Sequence, residues 1–160
     1  MHGAHGEDER LSRRHGGTTR NLRQDTEMNE NEIGTLIIDA AFYLHKNLGP
    51  GLLESVYETT LAKLLSGKNL CVQRQVPIPI VFEGEYYKEG FRADIFVEGK
   101  VIIELKSVEQ ITDTHKKKLL TYLRMTNTKL GYILNFGSAL MKEGIVRIIN
   151  GTLDNPPYPP

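Results

Sequence analysis

Residues 92–106 read RADIFVEGKVIIELK, and this stretch predicts two short β-strands joined by a tight Glu-Gly turn. Side chains alternate between the two faces of a strand, so Glu104 and Lys106 are predicted to share one face. The turn brings Asp94 back toward that face. Two carboxylates and a lysine at a strand end are suited to holding a divalent cation and a water beside a phosphate. This segment therefore predicts both the centre of a sheet and a candidate hydrolytic site.

The segments around this hairpin predict the order helix, helix, three strands, helix, strand, strand. Apolar periodicity and turn residues place the helices at 31–48, 53–65 and 112–126, and the strands at 72–82, 85–97, 101–106, 130–136 and 144–149. Pro77 and Pro79 place part of the first strand at a sheet edge, because proline has no N–H to donate. Strands joined by tight turns are antiparallel, whereas a strand-helix-strand crossover gives a parallel pair. We therefore expect an α/β protein whose mixed central sheet is flanked by helices.

Length and composition predict one globular domain with two tails. The chain has 160 residues, of which 39% are hydrophobic and 25% charged, an ordinary balance for a soluble domain. Residues 1–29 contain almost no apolar side chains and are expected to be disordered, with Met28 a candidate biological start. The folded domain is expected at 30–151, followed by a proline-rich tail at 152–160.

Charge and cysteine content limit the classes of protein to consider. The formal net charge is zero, which neither supports nor excludes a polyanionic partner, because local clustering matters more than the sum. Cys71 is the only cysteine, so neither an intrachain disulfide nor a cysteine-based zinc site can form, and a cytoplasmic location is expected. No apolar run approaches the roughly 20 residues that cross a bilayer, so no membrane partner is expected.

Two motifs together resemble a known family. The pattern Asp94…Glu104-Leu-Lys106 resembles the PD-(D/E)XK nuclease superfamily, and residues 51–57, GLLESVY, are similar to the signature of its GxxExxY branch. The resemblance covers roughly residues 28–151 and implies a restriction-endonuclease-like core of helix, three strands, helix and strand. It also implies a metal-dependent nuclease that hydrolyses the phosphodiester bonds of nucleic acid.

The residue types fit that chemistry. Magnesium prefers oxygen ligands and keeps several waters, so Asp94, Glu104 and the backbone carbonyl of Leu105 are the expected ligands of Mg²⁺, with Mn²⁺ as an alternative. Lys106 would orient or deprotonate the attacking water and stabilise the charge of the phosphate. The resemblance implies that Glu54 also points into the site, as a further metal ligand or an acid–base group.

The third helix is the expected substrate-facing element, with DNA preferred to RNA as the partner. The residues expected to contact nucleic acid are Tyr57, His115, Lys117, Lys118 and Tyr122. Related nucleases often carry a glutamine four residues before a tyrosine in this helix, whereas this chain has Lys118 before Tyr122. A lysine at that position remains able to pair with a phosphate. The sequence does not predict the oligomeric state.

Simpler readings stand beside these expectations. Glu104-x-Lys106 alone describes an ion pair on a solvated strand, and a lysine run commonly marks a solvated helix face. Tyr57 and Tyr122 are open between packing and contact with substrate. Two other functions therefore stay open: a non-catalytic nucleic-acid or protein-binding module that kept the fold, and a hydrolase of another phosphate ester.

Overall fold

The computed structural model describes residues 27–153, and it has the predicted element order. The elements are α1 (Glu30–Leu48), α2 (Glu54–Ser66), β1 (Val72–Phe82), β2 (Glu85–Val97), β3 (Val101–Lys106), α3 (Asp113–Met125), β4 (Leu130–Asn135), a short 3-10 helix (Met141–Glu143) and β5 (Ile145–Ile149). The tails expected at 1–29 and 152–160 lie almost wholly outside the described residues. Asn29, at the inner end of the first tail, caps α1 through a reciprocal pair of hydrogen bonds with Glu32. None of the helices within residues 27–153 has the length and apolar character needed to span a bilayer.

The five strands form one mixed sheet in the order β1-β2-β3-β4-β5. The β3–β4 pair is parallel and is joined through α3, while the other three pairs are antiparallel, so the predicted topology is confirmed. β1 is an edge strand, as its prolines predicted. Its pairing with β2 shifts register between Ile78 and Ile80, on either side of Pro79.

Helices cover both faces of the sheet. On one face, α1 and α2 pack against Ile103 and Leu105 of β3, and on the other α3 packs against Ile102. The α3 helix approaches closely at Gly131 of β4, where an added Cβ would lie 3.1 Å from leucine side chains of the helix. Because β3 alternates between these two cores, its polar residue Glu104 is turned toward the α3 side.

The Glu-Gly turn between β2 and β3 forms as predicted. Glu98 and Gly99 have φ of 53° and 62°, the left-handed pair of values that joins antiparallel strands with the correct twist. The amide of Lys100 donates to the carbonyl oxygen of Val97 at 2.9 Å and closes the turn. The turn holds β2 and β3 in the register that brings Asp94 opposite Glu104.

Candidate active site

The candidate site lies where the pairing of β2 with β3 ends. The last paired residues are Ile95 and Ile103, so the next residues, Asp94 and Glu104, are not joined by regular pairing. Their carboxylates replace the missing backbone bonds. Asp94 Oδ2 accepts from the Leu105 amide at 2.8 Å, and Glu104 Oε1 accepts from the Asp94 amide at 3.4 Å. Backbone N–H groups thus hold both acidic side chains at the point where β2 and β3 cease to pair.

Burial makes the ionised forms of these two acids unfavourable. Glu104 is 8% exposed, and burial together with the charge of Asp94 raises the pKa of Glu104 to about 8. Burial also raises the pKa of Asp94, although the hydrogen bond from the Leu105 amide acts in the opposite direction. Lys106 lowers both pKa values through its positive charge, but less than burial raises them. The pair therefore has a strong tendency to take up a proton or a cation.

Glu54 and Lys106 complete the group that the sequence predicted. Glu54 is the first residue of α2, and its Oε1 accepts from the Ser107 amide just beyond β3 at 3.2 Å. The hydroxyl of Ser107 donates to the Leu52 carbonyl oxygen at 2.9 Å, which ties the start of α2 to the end of β3. The charge of Glu54 is near enough to raise the pKa of Asp94, after the larger effects of burial and Glu58. Glu54 and Lys106 thus lie beside the Asp94–Glu104 pair, near the carboxyl end of β3.

Lys118 reaches the same region from α3. Its pKa is raised, first by a hydrogen bond with the Tyr122 side chain and then by the charges of Tyr122, Glu104 and Asp94. Its Nζ lies 5.6 Å from the centre of the Tyr122 ring. The Tyr122 ring is buried and stacks on Phe91, with 3.7 Å between ring centroids. Tyr122 therefore has a packing position, and the Lys118 ammonium lies beside its ring.

The other predicted contact residues of α3 differ in their surroundings. His115 belongs to the capping box at the start of the helix, where its Nδ1 accepts from the Thr112 amide at 3.1 Å. Lys117 is exposed on the helix surface. A role for either in binding nucleic acid stays a prediction.

Tyr57 occupies an interior position. It is 0% exposed, and its ring stacks on Phe136 with 4.3 Å between centroids. Its hydroxyl donates to the Gly49 carbonyl oxygen at 2.6 Å and accepts from the Leu52 amide at 3.1 Å. The side chain therefore braces the loop that leads into α2 and Glu54. Because the hydroxyl is buried and already bonded to Gly49 and Leu52, the structure favours packing over a phosphate contact for Tyr57.

Sequence reasoning missed two polar residues beside the site. Glu58 is 6% exposed, and Gln75 of β1 lies between it and Asp94. Glu58 follows Glu54 by four residues, so the helical period was a usable signal for it. Gln75 gave no such signal, because its position depends on a local change in the backbone of β1.

The carboxylates of Asp94 and Glu104 suit a cation such as Mg²⁺, which binds oxygen and keeps several water ligands. Within residues 27–153, no group of three or more His, Cys, Asp and Glu side chains is close enough together to enclose one ion. Mg²⁺ needs fewer protein ligands than that, since it is commonly held by one or two carboxylates and keeps several waters. Asp94 and Glu104 fit this requirement, and a cation would offset the unfavourable charge that burial gives their ionised forms.

Comparison with known proteins agrees with the geometry. Residues 31–148 match the family model of the PD-(D/E)XK nuclease superfamily. The chain belongs to this superfamily. The matched region of this PD-(D/E)XK protein runs from α1 into β5 and contains every candidate site residue. No curated protein matches the chain.

A cavity of about 580 Å³ in this superfamily member lies beyond the end of β4, and none of the acids Glu54, Asp94 and Glu104 lines it. Asn135 lies in its wall, next to Lys106 in the pairing of β4 with β3. The Asn135 side chain is 1% exposed and exchanges two hydrogen bonds with the backbone of Val108, at 3.0 and 2.9 Å. These bonds hold the part of the cavity wall that lies at the carboxyl ends of the parallel strands β3 and β4. Ligands of α/β proteins commonly bind at such strand ends.

Proposed function

We propose that this chain is a metal-dependent nuclease of the GxxExxY branch. The observation that carries the proposal is the pair formed by half-buried Asp94 of β2 and buried Glu104 of β3, with Lys106 and Glu54 beside it, in a member of a nuclease superfamily. Nucleases of this superfamily typically use divalent metals. The cytoplasmic location expected from the single cysteine is part of the same proposal.

Asp94 and Glu104 would hold the cation, with the Leu105 carbonyl oxygen as a further ligand and Glu54 reaching the ion through one of its bound waters. We propose Mg²⁺, with Mn²⁺ as the alternative, because all of these donors are oxygens. When bound, the ion would supply charge to the scissile phosphate and lower the pKa of a bound water. The burial of Glu104 supports this assignment, since a cation would offset the unfavourable charge of the ionised pair.

Lys106 would act directly on the reacting groups. It follows Glu104 by two residues on β3 and therefore emerges on the same side of the strand. Its ammonium would hold the attacking water in place and stabilise the negative charge that develops on the phosphate. Glu54, held by the Ser107 amide, would orient the water or take its proton.

The substrate class is nucleic acid, and we propose DNA in preference to RNA. The exposed lysines of α3 support backbone contacts, because ammonium groups pair with phosphates regardless of base sequence. Lys118 would contribute most, since it extends from α3 toward the acid pair and lies beside Tyr122. Lys117 and the helix-capping His115 would contribute further contacts to the phosphates of the nucleic-acid strand.

Isosteric variants test the proposal. The full chain is incubated with plasmid, linear duplex, single-stranded DNA and RNA, each with Mg²⁺, Mn²⁺ or a chelator. D94N and K106M are expected to reduce cleavage by about 100-fold or more while keeping the fold. The matched controls are D39N on α1 and K63M on α2, both exposed and outside the site. Cleavage that survives both D94N and K106M would exclude this site as the catalytic centre.

Metal uptake separates the nuclease from a binding-only module. Calorimetric titration with Mn²⁺ should show heat that D94N abolishes and D39N does not. A non-catalytic module should show no uptake that depends on Asp94. Hydrolysis of small phosphodiesters but of no nucleic acid would instead favour a different phosphate ester as the substrate.

A further inference from the structure

Glu58 is a buried acid that the proposed chemistry does not use. It lies on α2 one turn after Glu54 and is 6% exposed. Its Oε1 accepts from Arg74 Nε at 3.0 Å, and its Oε2 accepts from Gln75 Nε2 at 2.7 Å. A carboxylate removed from water requires such donors, because an unpaired buried charge is strongly unfavourable. Glu58 is therefore held rigidly between two neighbouring side chains of β1.

The backbone of β1 is distorted to allow this arrangement. Adjacent side chains of a regular strand point to opposite faces, so Arg74 and Gln75 would not reach one acceptor. Gln75 has φ of 50°, in the left-handed region that is unfavourable for a residue other than glycine. It lies between the paired positions Arg74–Ile95 and Val76–Ala93, which places it opposite Asp94. This local change in backbone conformation turns the Gln75 side chain toward α2.

The side-chain amide of Gln75 also lies close to Asp94. Gln75 Nε2 lies 3.5 Å from Asp94 Oδ1, while Asp94 Oδ2 is bonded to the Leu105 amide at 2.8 Å. An ionised carboxylate accepts hydrogen bonds and does not donate them, so the two acids both favour the NH₂ group of the glutamine between them. Glu58 fixes the orientation of the amide through the shorter bond, and the second hydrogen of that NH₂ then faces Asp94. Both oxygens of Asp94 thereby meet a donor that the fold holds in place.

We propose that Gln75 and Glu58 are positioning residues, which set the orientation of the Asp94 carboxylate for the cation. This inference rests on the proposed function and adds residues from β1 and α2 to it. Neither side chain needs to touch the ion or the substrate. A strained backbone position that persists next to a candidate site is in keeping with such a role.

The test compares Q75M with Q73M in the full chain. Methionine keeps the length of the side chain and removes the amide. Gln73 is an exposed residue of the same strand, which makes it a matched control. Mn²⁺ affinity is measured by calorimetry, thermal unfolding without metal, and cleavage rate as a function of Mn²⁺ concentration. Q75M is expected to weaken Mn²⁺ binding about 10- to 100-fold, the usual effect of losing an outer-shell partner, and Q73M is expected to leave it unchanged.

A variant that loses Mn²⁺ affinity but keeps the cleavage rate at saturating Mn²⁺ identifies a positioning role for the altered residue. The cleavage rate of Q75M should recover at saturating Mn²⁺, because Asp94 itself is intact, whereas D94N should not recover. A Q75M protein that unfolds at lower temperature but binds Mn²⁺ as the wild type does would overturn the proposal. E58Q provides a second variant if Q75M does not fold, and unchanged Mn²⁺ affinity in E58Q would likewise overturn it.

The outcomes also separate this inference from the proposed function. If the wild-type protein takes up no Mn²⁺ that depends on Asp94, both the proposed function and the positioning role of Gln75 and Glu58 are excluded. Uptake that D94N abolishes and Q75M leaves intact would remove the positioning pair alone. Uptake weakened by both variants, without cleavage of any nucleic acid, would remove the nuclease activity and support the positioning pair.

Discussion

Glu104 offers the sharpest test, because its burial links the stability of the fold to pH. Burial raises the pKa of Glu104 from 4.5 to about 8 in the folded protein. The folded state therefore holds the proton more tightly than the unfolded state. The stability that this proton provides is fully present below about pH 4.5 and is lost as the pH rises to about 8. At about 1.36 kcal/mol per pH unit, the full loss is on the order of 5 kcal/mol.

The variant E104Q removes the titration while keeping the shape of the side chain. Its amide oxygen can still accept from the Asp94 amide, so the bond made by Oε1 in the wild type is kept. The free energy of unfolding of E104Q should therefore change less between pH 5 and 9 than that of the wild type, with the difference growing to about 3–5 kcal/mol. Denaturant titrations at steps of one pH unit measure this, and E85Q, at an exposed glutamate of β2, is the control. Parallel stability curves for wild type and E104Q would refute the reasoning.

A divalent cation should reverse the effect of pH in the wild type alone. Binding to the folded state stabilises it by about 2.7 kcal/mol when the free ion is at 100 times its Kd. Mg²⁺ or Mn²⁺ should thus raise the unfolding free energy of the wild type at pH 8 and leave E104Q nearly unchanged. Equal stabilisation of both proteins would show that the ion binds elsewhere.

Two further predictions concern Tyr57 and Lys118. Y57F should lower the free energy of unfolding by about 1–3 kcal/mol, because the Leu52 amide and the Gly49 carbonyl both lose a buried partner, and Mn²⁺ affinity measured by calorimetry should be unaffected. A marked loss of nucleic-acid binding without loss of stability would contradict the packing position of Tyr57. K118M should weaken nucleic-acid binding and reduce the slope of log affinity against log salt by about 1, as one phosphate contact requires. An unchanged slope, measured by fluorescence anisotropy from low to moderate salt, would place Lys118 outside the interface.

The fold could be predicted from the sequence because its main signals are local. The apolar run before Glu104 indicated a buried strand, the Glu-Gly turn set the hairpin, and the prolines of β1 indicated an edge. The ends of the first two helices followed from glycine and proline, which do not continue a helix well. Each of these signals acts within a few residues, so tertiary packing did not override it. The short 3-10 helix at Met141–Glu143 had no comparable signal and was not predicted.

The surroundings of the site were less predictable because they depend on contacts between distant segments. The sequence left Tyr57 open between packing and contact with substrate, and only contacts with a distant segment place its ring against Phe136. Gln75 reaches Asp94 only because its backbone adopts a left-handed conformation, for which the sequence of β1 gives no sign. Periodicity locates a residue on an element. It does not determine which way a wide helix face or a distorted strand directs a side chain.

The acid pair itself argues for a cation in this fold. Ionising Glu104 opposes folding by roughly 5 kcal/mol, a large part of the about 5–15 kcal/mol that stabilises a typical domain, and burial raises the pKa of Asp94 in the same direction. A protein that used this fold only to bind a partner would be more stable with apolar or amide side chains at these positions. Lys106 and Lys118 offset part of the charge but leave the pKa of Glu104 at about 8. A bound divalent ion would offset the remaining unfavourable charge of the two carboxylates. Measurements of unfolding free energy with and without metal therefore test whether the acid pair binds a cation, independently of any cleavage assay.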